Sequence, residues 1–286
     1  MTHHELIPAC WTTAGACEPL TDRELSPLPI RGRVEIAAAA GFAGFGIRHG
    51  DLLAVERDLG FAEFRRILDD HDLRHLELEF LEGWYEEGPD RAASDRARAD
   101  LLRAAGELGV RCIKIGGRLS GGTYEPDRVV AELALLAEQA DRAGTTVGLE
   151  PMPFADIRTP QDALDVVIGA GHPAGGIFLD VWHVGRAGLD MATLADIPAH
   201  HIAGVELDDA DAEVRGSLLE DTLHHRRFPG EGDLDVVGFV SAVAATGYVG
   251  PWGVEMLSRE FRALDPGEAA RRAHDTTASA LRATAP

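Results

Sequence analysis

Four acidic residues stand at the ends of four apolar runs in the second half of the chain. Glu150 closes Thr-Val-Gly-Leu-Glu, Asp180 closes Gly-Ile-Phe-Leu-Asp, Glu206 closes Ile-Ala-Gly-Val-Glu and Glu255 closes Trp-Gly-Val-Glu. The intervals are 30, 26 and 49 residues. The first two match one strand-plus-helix unit and the third holds an added loop. Alternation along a strand sends Val147, Leu149, Ile177 and Leu179 outward, leaving Gly148, Glu150, Asp180, Glu206 and Glu255 inward. Four like charges brought together in a low dielectric cannot all stay ionised unless something neutralises them. A divalent cation does so. An all-oxygen set favours magnesium, manganese or calcium over zinc, and open octahedral positions for substrate oxygens favour manganese or magnesium, with cobalt also admissible. A single acid at a strand end is commonly a helix cap or an arginine partner; the repetition of four in register is what points to one metal site.

The elements that must position these acids alternate along the whole chain. Short apolar runs near Leu6–Trp11, Gly44–Ile47, His75–Phe80, Cys112–Gly116, Thr146–Glu150, Gly176–Asp180, Ile202–Leu207 and Trp252–Glu255 are separated by amphipathic stretches. Asp127–Ala143 is an example, with Val130, Leu133, Ala134, Ala137 and Ala140 at helical spacing. Gly109, Gly144, Gly171 and Gly247 each follow a helical run and precede a strand, as a helix C-terminus requires. The pattern predicts an α/β fold, a single (β/α)₈ barrel spanning residues 1–286. The least regular segments, Asp51–Leu59, Phe80–Pro89, Ser120–Pro126 and Asp208–Asp233, all follow strands, on the face where such barrels carry their sites.

With 286 residues, 45% of them hydrophobic, the chain can bury a sizeable core in one domain. The 48 acidic residues against 27 basic ones give a formal charge of −21, which disfavours nucleic acid and anionic membrane surfaces as partners. Cys10, Cys17 and Cys112 form no CxxC pair and suit reduced thiols. No apolar run approaches a membrane span and no basic-then-apolar leader opens the chain, so a cytoplasmic location is expected. His3 and His4 are given no role.

These residues resemble the xylose-isomerase-like barrels, in particular sugar isomerases and epimerases of the keto-sugar 3-epimerase kind. The similarity follows strand order through the whole chain. It is carried most specifically by Gly148-Leu149-Glu150-Pro151, by Leu179-Asp180-Val181-Trp182-His183, by Arg227-Phe228-Pro229-Gly230-Glu231-Gly232, and by Gly247-Tyr248 followed by Gly253-Val254-Glu255. The resemblance implies that Glu150, Asp180 and Glu255 bind the metal, with Glu150 and Glu255 moving protons on opposite faces of a substrate. It implies that His183 binds a substrate oxygen, and it matches Asp156 to a second acid after strand five and Arg227 to the arginine before the Pro-Gly-x-Gly loop. A homodimer is the family's expected assembly. The family commonly has histidine at the end of strand seven; this chain has Glu206, expected to ligate and to make the site wholly carboxylate, a water taking that position otherwise.

Lys114 and Glu79 also point inward by alternation. They form either a buried ion pair or, for Lys114, a substrate-binding cation or a base with lowered pKa. Trp11 and Trp182, at strand ends, are core residues or an aromatic wall for a sugar ring. His49, Asp51, His224 and His225 lie in loops. A metal chelated by a hydroxy-ketone stabilises the enediolate formed when the neighbouring carbon loses a proton. Glu150 and Glu255 then give epimerisation or isomerisation of a carbohydrate or keto-sugar. The alternative is elimination, as in a dehydratase or 3-keto-sugar β-eliminating lyase, to which Lys114 would contribute. A non-catalytic sugar- or metal-binding barrel is the third reading. An endonuclease-like role is disfavoured by charge and by too few strand-end histidines for a zinc cluster.

Overall fold

A computed structural model describes residues 4–22 and 24–283; His3 lies outside them. The inner wall runs through β1 (Leu6–Pro8), β2 (Gly44–Arg48), β3 (His75–Leu81), β4 (Cys112–Gly116), β5 (Thr146–Glu150), β6 (Gly175–Asp180) and β7 (Ile202–Leu207). A small antiparallel ribbon, β8 (Asp209–Ala210) against β9 (Arg226–Arg227), stands at the rim, and β10 (Trp252–Val254) completes the wall. The eight wall strands are parallel, in the order β1-β10-β7-β6-β5-β4-β3-β2. The Ala43 amide just before β2 donates to the Leu6 carbonyl at 2.9 Å, which brings the two ends of the sheet together. Helices lie between the strands, and the result is one (β/α)₈ barrel.

Strand alternation has the expected sense. Val147, Leu149, Ile177 and Leu179 join the apolar layer under the helices, while Glu150, Asp180 and Glu206 are buried on the other side of the same strands. Gly109, Gly144, Gly171 and Gly247 all have positive φ. Two segments differ from expectation. β1 stops at Pro8, so Trp11 sits in the tight helical turn Cys10–Thr13 rather than on a strand. Residues expected to be irregular, from Asp51 onward, belong to the helix His49–Asp58, because Leu52 and Val55 bury at helical spacing and Asp51 suits the first turn. Among the described residues no helix is long and apolar enough to cross a membrane.

The barrel interior beneath the rim is filled by two phenylalanine rings lying over glycines. A Cβ on Gly204 would come within 2.2 Å of the Phe178 ring, one on Gly148 within 2.9 Å of it, and one on Gly116 within 2.2 Å of Phe80. Phe178 is thereby laid flat enough for the Lys114 ammonium to rest 4.6 Å from its centroid. Gly204→Ala must displace this ring, and overpacking of this kind costs about 1–3 kcal/mol. The expected result is a melting midpoint lowered by several degrees in calorimetry; an unchanged midpoint would show that the floor of the barrel is not packed as described.

Candidate metal and active site

The mouth of the barrel opens on a pocket of about 130 Å³, lined by the apolar side chains of Trp11, Phe80, Met152 and Phe154 and by Glu79, Lys114, Glu150, His183, Arg226 and Glu255. The strand ladder aligns the acids: Asp180 is the direct neighbour of Glu206 across β6 and β7, and Gly253 of β10 lies opposite Glu206 on its other side. A Cβ on Gly253 would stand 2.5 Å from Glu206 Cγ, so glycine there makes room for the Glu206 stem. Asp208, two residues further on, points the same way and is buried with it.

Two cations lie among these carboxylates. Lys114 Nζ donates to Glu206 Oε2 at 2.6 Å and lies 3.4 Å from Glu79, 3.6 Å from Glu255 and 4.0 Å from Glu150. Burial alone would depress its pKa, but the surrounding carboxylates overcome this and hold it well above the ordinary lysine value. These carboxylates favour its charged form, against a reading of Lys114 as a base of lowered pKa, and its tightest partner is Glu206 rather than Glu79. Arg226 reaches Asp180 at 2.7 Å, Glu255 at 3.1 Å and Asp208, with Thr222 accepting from its remaining donors.

His183 begins the turn after β6, where its backbone N–H donates to Asp180 Oδ1 at 3.1 Å. Its Nε2 is 3.9 Å from Glu150 Oε1. Burial pushes the imidazole down to about 3, so the ring is neutral at physiological pH. Burial pushes Glu150 up to about 8 against the pull of Lys114. Asp180 is also penalised by burial, yet Arg226 and then His183 bring it down to about 2.

These residues fit a hard divalent cation. One oxygen each of Asp180, Glu206 and Glu255 lies within 4.8 Å of the others, and one oxygen each of Glu150 and Asp180 with one ring nitrogen of His183 forms a second such group. Oε1 of Glu150, Oε1 of Glu206 and Oδ1 of Asp208 are buried without a hydrogen-bond partner. Orphaned carboxylate oxygens in the interior are costly, and an ion is the partner that would satisfy several at once.

The other expected site residues divide. Trp11 and Glu79 line the pocket, Trp11 under the Arg48 guanidinium at 5.0 Å and Glu79 accepting the Cys10 N–H at 2.9 Å. Asp156 instead accepts from Tyr85 Oη and from the backbone of Arg118 and Ile157, fastening the segment after β5 outside the pocket wall. Arg227 turns away to Asp211 and Glu260, each at 3.0 Å. Adjacent residues of a strand face opposite ways, and in β9 it is Arg226 that turns inward. Trp182 is buried between Arg186 and Arg226, His49 pairs with Asp100, and His224 meets Arg262 outside the pocket. Arg226 and Asp208 were missed from sequence. Asp208 was legible from its spacing to Glu206, whereas nothing in Arg226-Arg227 says which of the pair faces in.

The sequence model of the family described as xylose isomerase-like TIM barrel matches residues 34–280. The chain belongs to this family. As a xylose isomerase-like barrel it is 31% identical over 245 residues to the 3-dehydroshikimate dehydratase of Pseudomonas putida, an alignment covering 81% of this chain and 36% of that one. The chain thus spans about a third of the length of that relative. It is 29% identical over 147 residues to the inosose isomerase of Halalkalibacterium halodurans, covering 51% of each. Among solved structures, the IolI protein with a bound zinc atom superposes with a TM-score of 0.84 at 18% identity, covering 99% of both chains.

The raised Glu150 carboxyl would make ion binding at this site of the xylose isomerase-like barrel pH dependent. A folded value of about 8 against an ordinary 4.5 means that the metal-free protein gains stability from the proton Glu150 holds below about 4.5, and loses that gain as pH rises through about 8. A cation held by Glu150 would have to displace this proton, so affinity for an ion such as Mn²⁺ is expected to fall as pH drops below about 8, by up to about tenfold per pH unit for one proton released. Isothermal titration in buffers of different ionisation enthalpy is expected to show proton release below pH 8. Binding without proton release across that range would contradict the assignment.

Proposed function

We propose that the chain is a divalent-metal-dependent enzyme that removes a proton next to the carbonyl of a hydroxy-ketone, and that its reaction ends in loss of water. Asp180, Glu206 and Glu255, with Glu150, would hold the ion. When bound, it would polarise the substrate carbonyl and lower the acidity barrier of the neighbouring C–H bond. His183, neutral and with an unpartnered Nδ1, would bind a substrate oxygen. Trp11, Phe80, Met152 and Phe154 supply an apolar wall that limits water.

The observation that carries elimination over epimerisation is the inequality of the two candidate proton carriers. Glu255 is fastened by Arg226 at 3.1 Å and lies 3.6 Å from Lys114. Glu150 Oε1 has no hydrogen-bond partner, which leaves it the carboxylate oxygen free to take a proton and pass it on. One carrier on one face suits a sequence in which Glu150 takes the α-proton, the C–C double bond forms, and the hydroxyl on the next carbon departs as water after receiving that proton. The likeness to a dehydratase over most of this chain supports the same order of preference. Sequence reasoning put isomerisation or epimerisation first and elimination second; this ranking reverses them. Epimerisation remains the second reading, favoured by the inosose isomerase likeness and by the placement of Glu150 and Glu255 in one pocket.

The test is incubation of the Mn²⁺- or Mg²⁺-loaded protein with 3-dehydroshikimate, inososes and keto-sugars in deuterated water. Elimination is expected to yield an unsaturated product with new near-ultraviolet absorbance. Isomer interconversion with deuterium uptake and no unsaturated product supports the second reading, and absence of any exchange leaves a binding barrel. Glu150→Gln is expected to lower kcat by about 10²–10⁴-fold while leaving ion binding within reach of measurement.

A further inference from the structure

We propose that Lys114 is a tethered cation occupying the second of two cation positions in the barrel mouth, so that its ammonium restricts the chain to a single divalent ion. The inference rests on the reading that the site binds such an ion, and goes beyond it by assigning what limits the number. Lys114 Nζ is enclosed by oxygens of four carboxylates, those of Glu206 at 2.6 Å, Glu79 at 3.4 Å, Glu255 at 3.6 Å and Glu150 at 4.0 Å. A ligand set of that composition is one that a hard divalent ion would accept. The position is built for a cation on its lower side too, where the Phe178 face lies 4.6 Å below the nitrogen.

The charges show why one tethered ammonium matters. Glu79, Glu150, Asp180, Glu206, Asp208 and Glu255 are all buried there, and Lys114 and Arg226 are the buried cations set against them. With all six acids ionised, four negative charges are in excess, and one divalent ion leaves two. Glu206 divides its oxygens between the two positions: Oε2 takes the ammonium, while Oε1 is buried and unpartnered, available to an ion shared with Asp180 and Glu255. A second divalent ion entering the enclosure where the ammonium stands would meet it at contact distance, and cation repulsion at such separations prevents it. Removing the ammonium while keeping its volume exposes the latent site.

Mn²⁺ binding by equilibrium dialysis with metal analysis, combined with electron paramagnetic resonance, tests this directly. Wild-type protein and Lys114→Arg are expected to bind one ion per chain. Lys114→Met is expected to bind two, with the spectrum of a spin-coupled pair, and to hold the first about tenfold or more tightly because a neighbouring positive charge is gone. Two ions in the wild type, or one ion at unchanged affinity in Lys114→Met, would overturn the inference while leaving the proposed chemistry standing. No ion in the wild type overturns both. Should Lys114→Met fail to fold, Glu79→Gln serves: Glu79 belongs to the ammonium's enclosure, so this variant keeps one ion with affinity within about threefold, whereas loss of that ion would make Glu79 its ligand and sink the assignment.

Discussion

The structure depends on neutralising acid side chains that the barrel has taken out of water. Burying one carboxylate without a partner is expensive, and placing several at contact distance adds mutual repulsion that no packing of apolar side chains can offset. Lys114 and Arg226 each stand among several of these acids rather than one, and they divide the cluster between them: Lys114 serves Glu79 and Glu206, Arg226 serves Asp180 and Asp208, and Glu255 lies between the two cations. Of the four carboxylates around the Lys114 nitrogen, Glu150 stands furthest, at 4.0 Å. With Glu206 and Asp208 it keeps a buried oxygen without a hydrogen-bond partner.

That arrangement is only as good as the backbone that holds it. Glycine recurs in the wall strands wherever a ring or a long acid must cross the interior, as at Gly204 beneath Phe178 and Gly253 beside Glu206. At the rim, Asp209 performs a similar task with hydrogen bonds. Its carboxylate accepts the backbone N–H groups of Ala210, Gly230, Gly232 and Leu234, at 2.8 to 3.0 Å. Gly232 has no room for a side chain, since a Cβ would sit 2.4 Å from that carboxylate. The Pro-Gly-Glu-Gly loop is thus wrapped around Asp209, and this fixes the ribbon from which Arg226 enters the site. One buried acid that does no chemistry aims the arginine that restrains three others.

Much of this was legible in the sequence because strand alternation and barrel closure are strict rules. Once Glu150, Asp180 and Glu206 were seen to end successive apolar runs, their common direction followed from a period of two, and the structure has them on one side. The same rule placed Lys114 and Glu79 inside. What it could not resolve was the sense of a two-residue ribbon set between irregular segments. Arg226 and Arg227 have the same chemistry, and their facing is decided by the pairing of β9 with Asp209 and Ala210, a long-range register. Asp156 was misleading for a related reason: its proximity to the end of β5 in sequence carries no information about Tyr85, 71 residues away, which claims its carboxylate. The helix His49–Asp58 was hidden by charged residues and Gly50, although its apolar face is short and regular.

The fate of an enolate in such a pocket is settled by where the next proton comes from. A chain that inverts a carbon needs two carriers of comparable freedom on opposite faces, because each turnover loads one and empties the other. Here one carboxylate is pinned between cations and the other has an oxygen without any hydrogen-bond partner. Glu255 gives Oε2 to Arg226 at 3.1 Å and holds Oε1 3.6 Å from Lys114, so a proton returned from that side would be carried beside two cations. Passing the proton onward from Glu150, to a hydroxyl leaving on the same face, disturbs none of these. On the proposed reading, it is the asymmetry of the cations, rather than the presence of the carboxylates, that would favour elimination over inversion.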